Sequence, residues 1–425
     1  MSVEVVRIVT KNVDKEGSHT LDGALANGVY GGIRKILDEK PDPADVMETV
    51  KASGLRGRGG AGFPTGVKWG FVPKDRPGPK YLCVNADESE PGTFKDRLLL
   101  EEDPHLLLEG SLITCYAVGI PTAYVYIRGE YGLAYERMRS AVEEAYSAGY
   151  LGQDILGKGF DCEIHLHRGA GAYICGEETG LLESLEGKRG QPRPKPPFPA
   201  LEGLYGRPTV INNVETLCFL PEIILRGAEW FAGIGFERNT GTRVFAVSGH
   251  VKKPGCYELP LNVTCREIIY EHAGGIIDDR ELKAVIPGGA SAPILSADEI
   301  DVQMGFDTLA AIGTMGGSGG VIVMDETTDI VRATYILTRF FQHESCGQCT
   351  PCREGTGWAY RILGRILDGE GKPEDLDLLL GMAANIKGGR CLCPLGDAAC
   401  GPIECSILKF REDYEAYVGR AAVTV

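Results

Sequence analysis

Apolar positions recur along this chain with two different spacings. Tyr81-Leu82-Cys83-Val84-Asn85 is a short apolar run of strand length, and Thr122 to Ile127 and Cys162 to His167 are two more. Between them, Phe94 to Leu100, Pro104 to Val118 and Tyr131 to Gly149 read as helix, the last with a clear amphipathic pattern. This alternation predicts an α/β domain around a largely parallel sheet. Upstream, Val3 to Val13 reads as a strand pair and Ala44 to Ser53 as a short helix after Pro43. The character changes near Asn239. Thr242 to Gly249 and Gly255 to Val263 read as two strands joined at Lys252-Lys253-Pro254-Gly255, followed by a helix over Cys265 to Ala273 and a strand over Leu282 to Ile286. That order suggests a small β-grasp domain. From Thr328 the pattern is helical: Asp329 to His343, a stretch holding Trp358, Ile362, Leu363, Ile366 and Leu367, then Pro373 to Lys387 and Cys405 to Tyr417. No repeat of solenoid period is visible. The longest apolar stretch, Leu106 to Ile127, is interrupted by Glu109 and Pro121, so it reads as helix, turn and strand rather than a membrane span.

Composition narrows the class. At roughly 150 residues per domain, 425 residues make about three domains. A hydrophobic share of 43% with 24% charged residues excludes a disordered chain, collagen or a coiled-coil rod. The net charge of −15 argues against non-specific nucleic-acid binding. The 58 glycines are twice the usual share of about 7%, and they gather in short loops where backbone turns tightly or approaches a ligand. Met1 to Lys15 has no apolar core of a secretory leader and no transit-peptide character, so a soluble intracellular protein is expected. In that setting the 14 cysteines are thiols or metal ligands rather than a disulfide framework.

Cys346-Gly347-Gln348-Cys349-Thr350-Pro351-Cys352 places three thiols at a spacing that gathers them around one point. An iron–sulfur cluster fits this, with a fourth ligand from Cys391, Cys393, Cys400 or Cys405. Structural zinc is the competitor, although it more often shows two separate Cys-x2-Cys pairs. Cys83, Cys115, Cys162, Cys175, Cys218, Cys256 and Cys265 stand singly and read as buried small hydrophobes.

Gly57-Arg58-Gly59-Gly60-Ala61-Gly62 matches G-x-G-x-x-G, but helix rather than strand precedes it, so it is not an ordinary dinucleotide turn. Its backbone N–H groups still suit a phosphate, with Arg58 and Lys68 adding positive charge. Asn85-Ala86-Asp87-Glu88-Ser89-Glu90 follows a strand end, the usual ligand edge of such a sheet. Gly176-Glu177-Glu178-Thr179-Gly180 is a second acidic turn, and Ile211-Asn212-Asn213-Val214-Glu215-Thr216 is a polar run able to cap a helix. Gly187 to Pro208 reads as a binding loop. Its Lys188, Arg189, Arg193 and Lys195, with Phe198 nearby, suit an anionic aromatic ligand, or else a partner protein.

Together these motifs resemble one family, the NADH-binding flavoprotein subunit of respiratory complex I. The resemblance is carried by Ser53 to Trp69, Glu88 to Arg97, Gly169 to Gly180, Gln191 to Pro199 and Glu344 to Gly355, and covers about Gly23 to Tyr417. The same module occurs in NAD-reducing hydrogenases and NAD-dependent formate dehydrogenases, so a diaphorase subunit of either is the alternative. The resemblance implies an α/β fold: a Rossmann-like FMN/NADH domain, a β-grasp (ubiquitin-like) domain and a C-terminal helical bundle carrying the cluster. Expected boundaries are 1–65 for an N-terminal segment that includes the start of the flavin loop, 66–238, 239–327 and 328–425. By resemblance FMN falls to Gly57, Arg58, Gly59, Gly60, Lys68, Asn85, Asp87, Glu88, Gly176, Glu177, Asn212, Asn213 and Thr216. NADH falls to Phe63, Phe71, Glu90, Glu178, Lys195 and Phe198. The [4Fe–4S] ligands are Cys346, Cys349, Cys352 and Cys393, the last in the family's Cys-x-Leu-Gly-Asp context. Glu90 is expected to tune the flavin potential, with no covalent catalyst, and a carboxylate near the ribose to disfavour NADPH. The implied partners are a thioredoxin-like [2Fe–2S] subunit and a larger iron–sulfur subunit. The implied location is cytoplasmic, peripheral on the inner membrane.

Overall fold

A computed structural model describes residues 6–418. Its first layer is a four-stranded sheet, all parallel, in the order β3-β2-β1-β4, with β1 at Tyr81–Ala86, β2 at Thr122–Ile127, β3 at Glu163–Arg168 and β4 at Thr209–Asn213. The helix Pro104–Val118 packs on one face with every residue but Tyr116 buried. The interruption by Glu109 has a reason: its carboxylate accepts from the backbone N–H groups of Tyr30, Gly32 and Ile33 at 2.7, 2.7 and 3.2 Å, and so caps the helix Gly31–Glu39 from within the core. Among the described residues no helix is long and apolar enough to cross a membrane.

A second sheet runs in the order β10-β9-β11-β7-β8, with β7 at Thr242–Gly249, β8 at Gly255–Pro260, β9 at Leu282–Ile286, β10 at Leu295–Ser296 and β11 at Gly320–Asp325; β5 (Gly235–Phe236) and β6 (Asn239–Thr240) form a small ribbon before it. β7 and β8 form the expected antiparallel pair, and the helix after them is one turn, Cys265–Glu267, continuing as a wider turn over Ile268–His272. The last region is helical: Ile330–Glu344, Thr350–Leu367, Glu374–Ile386, Leu395–Lys409 and Arg411–Val418.

Several expectations need correction. Residues 6–13 form bends and turns rather than a strand pair, and 3–5 lie outside the described residues. The apolar stretch is held instead by Glu258, which accepts from the N–H groups of Ile8, Val9 and Thr10 at 2.9, 3.2 and 2.8 Å. Ile211 to Asn213 is not a turn but the end of β4; Asn213 then caps the helix Val214–Cys218 through a 3.0 Å bond from the Glu215 N–H. The final helix begins ten residues early, at Leu395, and a break at Phe410 separates a further helix, Arg411–Val418.

Candidate functional site

β1 lies between β2 on one side and β4 on the other, so the crossovers diverge there and leave a crevice beyond the carboxyl ends of β1 and β4. The glycine loop covers it. Two bonds close the loop on itself, Gly57 N–H to Phe63 O at 2.9 Å and Thr65 N–H to Leu55 O at 2.8 Å, and lead into the helix Thr65–Trp69. Two more fix it to β4 and the helix that follows: the Arg58 N–H donates to Thr216 Oγ1 at 2.8 Å, and the Trp69 indole N–H to Asn212 Oδ1 at 2.9 Å. A Cβ on Gly59 would fall 2.9 Å from the Asn213 Cβ, so only glycine admits this approach.

The Arg58 side chain is a correction. It is fully buried and donates to the carbonyls of Thr240 (2.8 Å), Thr242 (3.0 Å) and Arg56 (3.1 Å), so it ties the loop to the strands behind and offers no charge to a phosphate. Glu88 is similarly engaged. Its carboxylate accepts from the N–H groups of Lys95, Asp96 and Arg97 at 2.8–2.9 Å, capping the helix Lys95–Glu102, and from Tyr131 OH at 2.9 Å. The basic cluster also divides. Lys188 pairs with Glu186 at 2.7 Å, Arg193 with Glu183 and Glu186, and Arg189 reaches the Cys346 carbonyl at 3.5 Å.

Lys195 alone of that cluster turns to the crevice, where its ammonium lies 2.9 Å from Glu177 and 2.7 Å from Glu178. Lys68 joins from the glycine-loop side, 3.4 Å from Glu178. Burial works to raise the Glu178 carboxyl, but Lys68 and Lys195 outweigh it and hold it below the usual range. Glu177 also caps the helix Glu178–Leu185, accepting from Thr179 and Gly180 N–H at 2.8 and 2.9 Å. Phe63, Phe71 and Phe198 stand about half exposed, and the rings of Phe63 and Phe71 lie 6.0 Å apart.

Asn85 Nδ2 donates to Gly176 O at 2.8 Å, joining the end of β1 to the turn Tyr173–Gly176. Asp87 is buried, its Oδ2 has no hydrogen-bond partner among the described residues, and burial pushes its carboxyl up to about 7. Glu90 accepts from Tyr173 OH at 2.7 Å and from the Ser291 N–H at 2.6 Å; burial raises its carboxyl against these two bonds. Residues to which the resemblance assigns no ligand complete the crevice. Tyr173, Trp69 and Ser291 do so by side-chain or backbone bonds. Gly317 does so at ordinary contact distance, its carbonyl lying 4.0 Å from where a Cβ on Gly60 would stand. The run Gly316-Gly317-Ser318-Gly319-Gly320 is a second glycine signal that points there.

The cysteine loop abuts the crevice. The Tyr173 N–H donates to Glu344 at 3.0 Å, and Gln191 Nε2 to the Cys346 carbonyl at 3.2 Å. Cys346, Cys349, Cys352, Cys391 and Cys393 pack in one apolar cluster with Cys83, Ile174, Leu181 and Ile211 of the sheet domain. Among the described residues, no three candidate ligands close on a single ion. Cys83, Cys115, Cys162, Cys175, Cys218 and Cys265 are buried, and Cys256 partly so.

The residues present fit both groups implied by the resemblance. A glycine cradle, an unpartnered buried Asp87 oxygen and free-standing aromatic faces suit a flavin and a dinucleotide. A purely thiol donor set suits an iron–sulfur cluster.

Three family models match in succession: the Nuo51 FMN-binding domain over residues 50–222, the SLBB domain over 243–323, and the NADH-ubiquinone oxidoreductase-F iron-sulfur binding region over 332–417. The second of the NADH-quinone oxidoreductase F subunits of Rhizobium meliloti (strain 1021) is 54% identical, covering 97% of each chain. The NADH-quinone oxidoreductase F subunit of Rickettsia massiliae (strain Mtu5) is 51% identical, covering 96% of each. Among solved structures, an NAD+-reducing [NiFe]-hydrogenase in its H2-reduced state matches with a TM-score of 0.80 and 37% identity over 90% of this chain, which spans 63% of that hydrogenase chain.

Proposed function

Because the chain belongs to the family of NADH-quinone oxidoreductase F subunits, we propose that the crevice at the ends of β1 and β4 is where this NADH-oxidising subunit holds its FMN and its substrate. It is an enzyme, a flavoprotein that carries a [4Fe–4S] cluster and feeds electrons into a complex I assembly. The chemistry FMN supplies when bound is uptake of a hydride and release of single electrons, which the [4Fe–4S] group conducts onward.

The protein's share is position and charge. The backbone of Gly57, Gly59 and Gly60 would hold the ribityl phosphate, and Thr216, whose hydroxyl accepts from the Arg58 N–H, would border the ribityl chain. Asn85, Asp87, Gly176 and Asn212 border the ring, and Lys68 supplies the charge that Arg58 cannot. Phe63, Phe71 and Phe198 offer faces to the adenine, and Lys195 offers its ammonium to the pyrophosphate. Glu90, held by Tyr173 and Ser291, would disfavour negative charge on the reduced ring. Glu177 and Glu178 line the ribose side, so NADH is preferred over NADPH. Comparable kcat/KM for the two would remove that assignment. Cys346, Cys349, Cys352 and Cys393 ligate the cluster.

One observation carries the reading. The single turn Tyr173–Gly176 touches Asn85 and Glu90 on one side and Glu344, two residues before Cys346, on the other. The residues that would hold the hydride acceptor and those that would hold the cluster are thus joined through one turn. An anaerobic visible spectrum of the purified chain tests it. Flavin bands and a broad iron–sulfur shoulder, both bleaching with NADH, are expected; a colourless zinc protein would overturn it.

The protein works within a multi-subunit complex. We assign as neighbours a thioredoxin-like [2Fe–2S] subunit and a larger iron–sulfur subunit, both against the helical region, and a peripheral place on the cytoplasmic side of the inner membrane. The hydrogenase likeness leaves a diaphorase role as the second reading, but the NADH-quinone oxidoreductase relatives are more similar and match end to end.

A further inference from the structure

The cysteine loop gathers one more thiol than a [4Fe–4S] cluster needs. Cys391 stands two residues before Cys393 in the loop between the helices Glu374–Ile386 and Leu395–Lys409, and packs in the same cluster as Cys346, Cys349, Cys352 and Cys393. Its surroundings are built to keep the sulfur there. A Cβ on Gly396 would lie 2.6 Å from the Cys391 sulfur, so that glycine leaves the space the thiol fills. The thiol donates a long hydrogen bond, 3.5 Å, to the Ile386 carbonyl. The next residue is already turned toward the ligand set, since the Leu392 N–H donates to Cys349 Sγ at 3.2 Å. Cys400 lies farther back, in a small cluster with Ala383 and Ile386 that Cys391 borders, and Cys405 accepts from the Ile294 N–H.

We propose that Cys391 is a reserve ligand of the cluster, able to take the iron that Cys393 holds when the Cys393 thiolate is lost. This rests on the cluster assignment given above. The exchange is balanced without redox change. The Cys391 thiol gives its proton to solvent, its sulfur donates a lone pair to the vacated iron, and no electron is transferred. A cluster with two thiolates competing for one corner survives damage to either, whereas a four-cysteine site loses that iron outright.

Iron content and EPR of the reduced full-length chain, reconstituted anaerobically with iron and sulfide, test this. The wild type and Cys391→Ala are expected to hold about four irons per chain with the same EPR signal. Cys393→Ala is expected to hold the same iron content with shifted g-values, and the Cys391→Ala/Cys393→Ala double variant to lose at least half. A Cys393→Ala chain that melts like wild type yet loses as much iron as the double variant overturns the proposal. Should Cys393→Ala fail to fold, Cys393→Ser is compared with Cys391→Ala/Cys393→Ser under the same criteria. A wild type that takes up no iron instead overturns the cluster assignment itself. Loss of iron from Cys391→Ala alone makes Cys391 the primary ligand and overturns the reserve role.

Discussion

Asp87 brings a carboxylate oxygen without a partner to the end of β1, and burial pushes its pKa up to about 7 from an unfolded value of about 3.9. The folded chain therefore holds this proton more tightly than the unfolded one. Its contribution to stability is undiminished below about pH 4 and falls as the pH climbs to about 7, then levels. Asp87→Asn is expected to flatten that fall in the flavin-free chain by on the order of 3 kcal/mol, read from thermal melts between about pH 4.5 and 8. Arg58 and Lys195 make a contrasting pair. Arg58→Met strands three backbone carbonyls and is expected to cost about 3–5 kcal/mol in urea unfolding. Lys195→Ala, at a partly exposed site, is expected to change stability by about 1 kcal/mol or less while raising the KM for NADH at least tenfold. Nothing local in the sequence separates the two roles. Arginine after glycine reads as a phosphate ligand until the strands that supply its carbonyls, near Thr240, are folded behind it. The same holds for Glu88, whose three N–H donors begin seven residues on, a capping distance that no short motif announces.

Elements were more legible than the directions of their side chains. β1, β2, β7 and β9, and the helix Pro104–Val118, stand within a residue or so of their expected bounds because apolar period and turn residues agree there. The misses have separate causes. β11 follows a glycine run that reads as loop, and β4 ends in two asparagines, a poor strand signature. The helix Leu395–Lys409 runs through a buried Pro402, where the usual rule places a break. The glycine loop is the element whose shape the site depends on most. Gly59→Ala drives a methyl group into Asn213, so FMN affinity is expected to fall tenfold or more in a flavin-fluorescence titration, with unfolding shifted by about 1–3 kcal/mol.

The described residues form several cores joined by buried polar clasps. Glu258 on β8 gathers the N–H groups of Ile8, Val9 and Thr10 and the hydroxyls of Thr10 and Thr242, fastening the N-terminal segment to the second sheet. Glu258→Ala is expected to cost about 3–5 kcal/mol and to speed amide exchange at residues 8–10 by about a hundredfold or more. None of this clasp could be read from composition or period, because its partners lie some 250 residues apart. The turn Tyr173–Gly176, bonded to Glu90 and Asn85 on one flank and to Glu344 on the other, has a wider consequence. A segment ordered by whichever cofactor arrives first has already lost the freedom that the second would have had to remove. With the two groups held as proposed above, flavin insertion and cluster insertion are expected to be thermodynamically linked, and the linkage is reciprocal: the factor by which FMN tightens the cluster is the factor by which the cluster tightens FMN. Loading linked in this way is expected to be cooperative, with half-loaded chains the rare species.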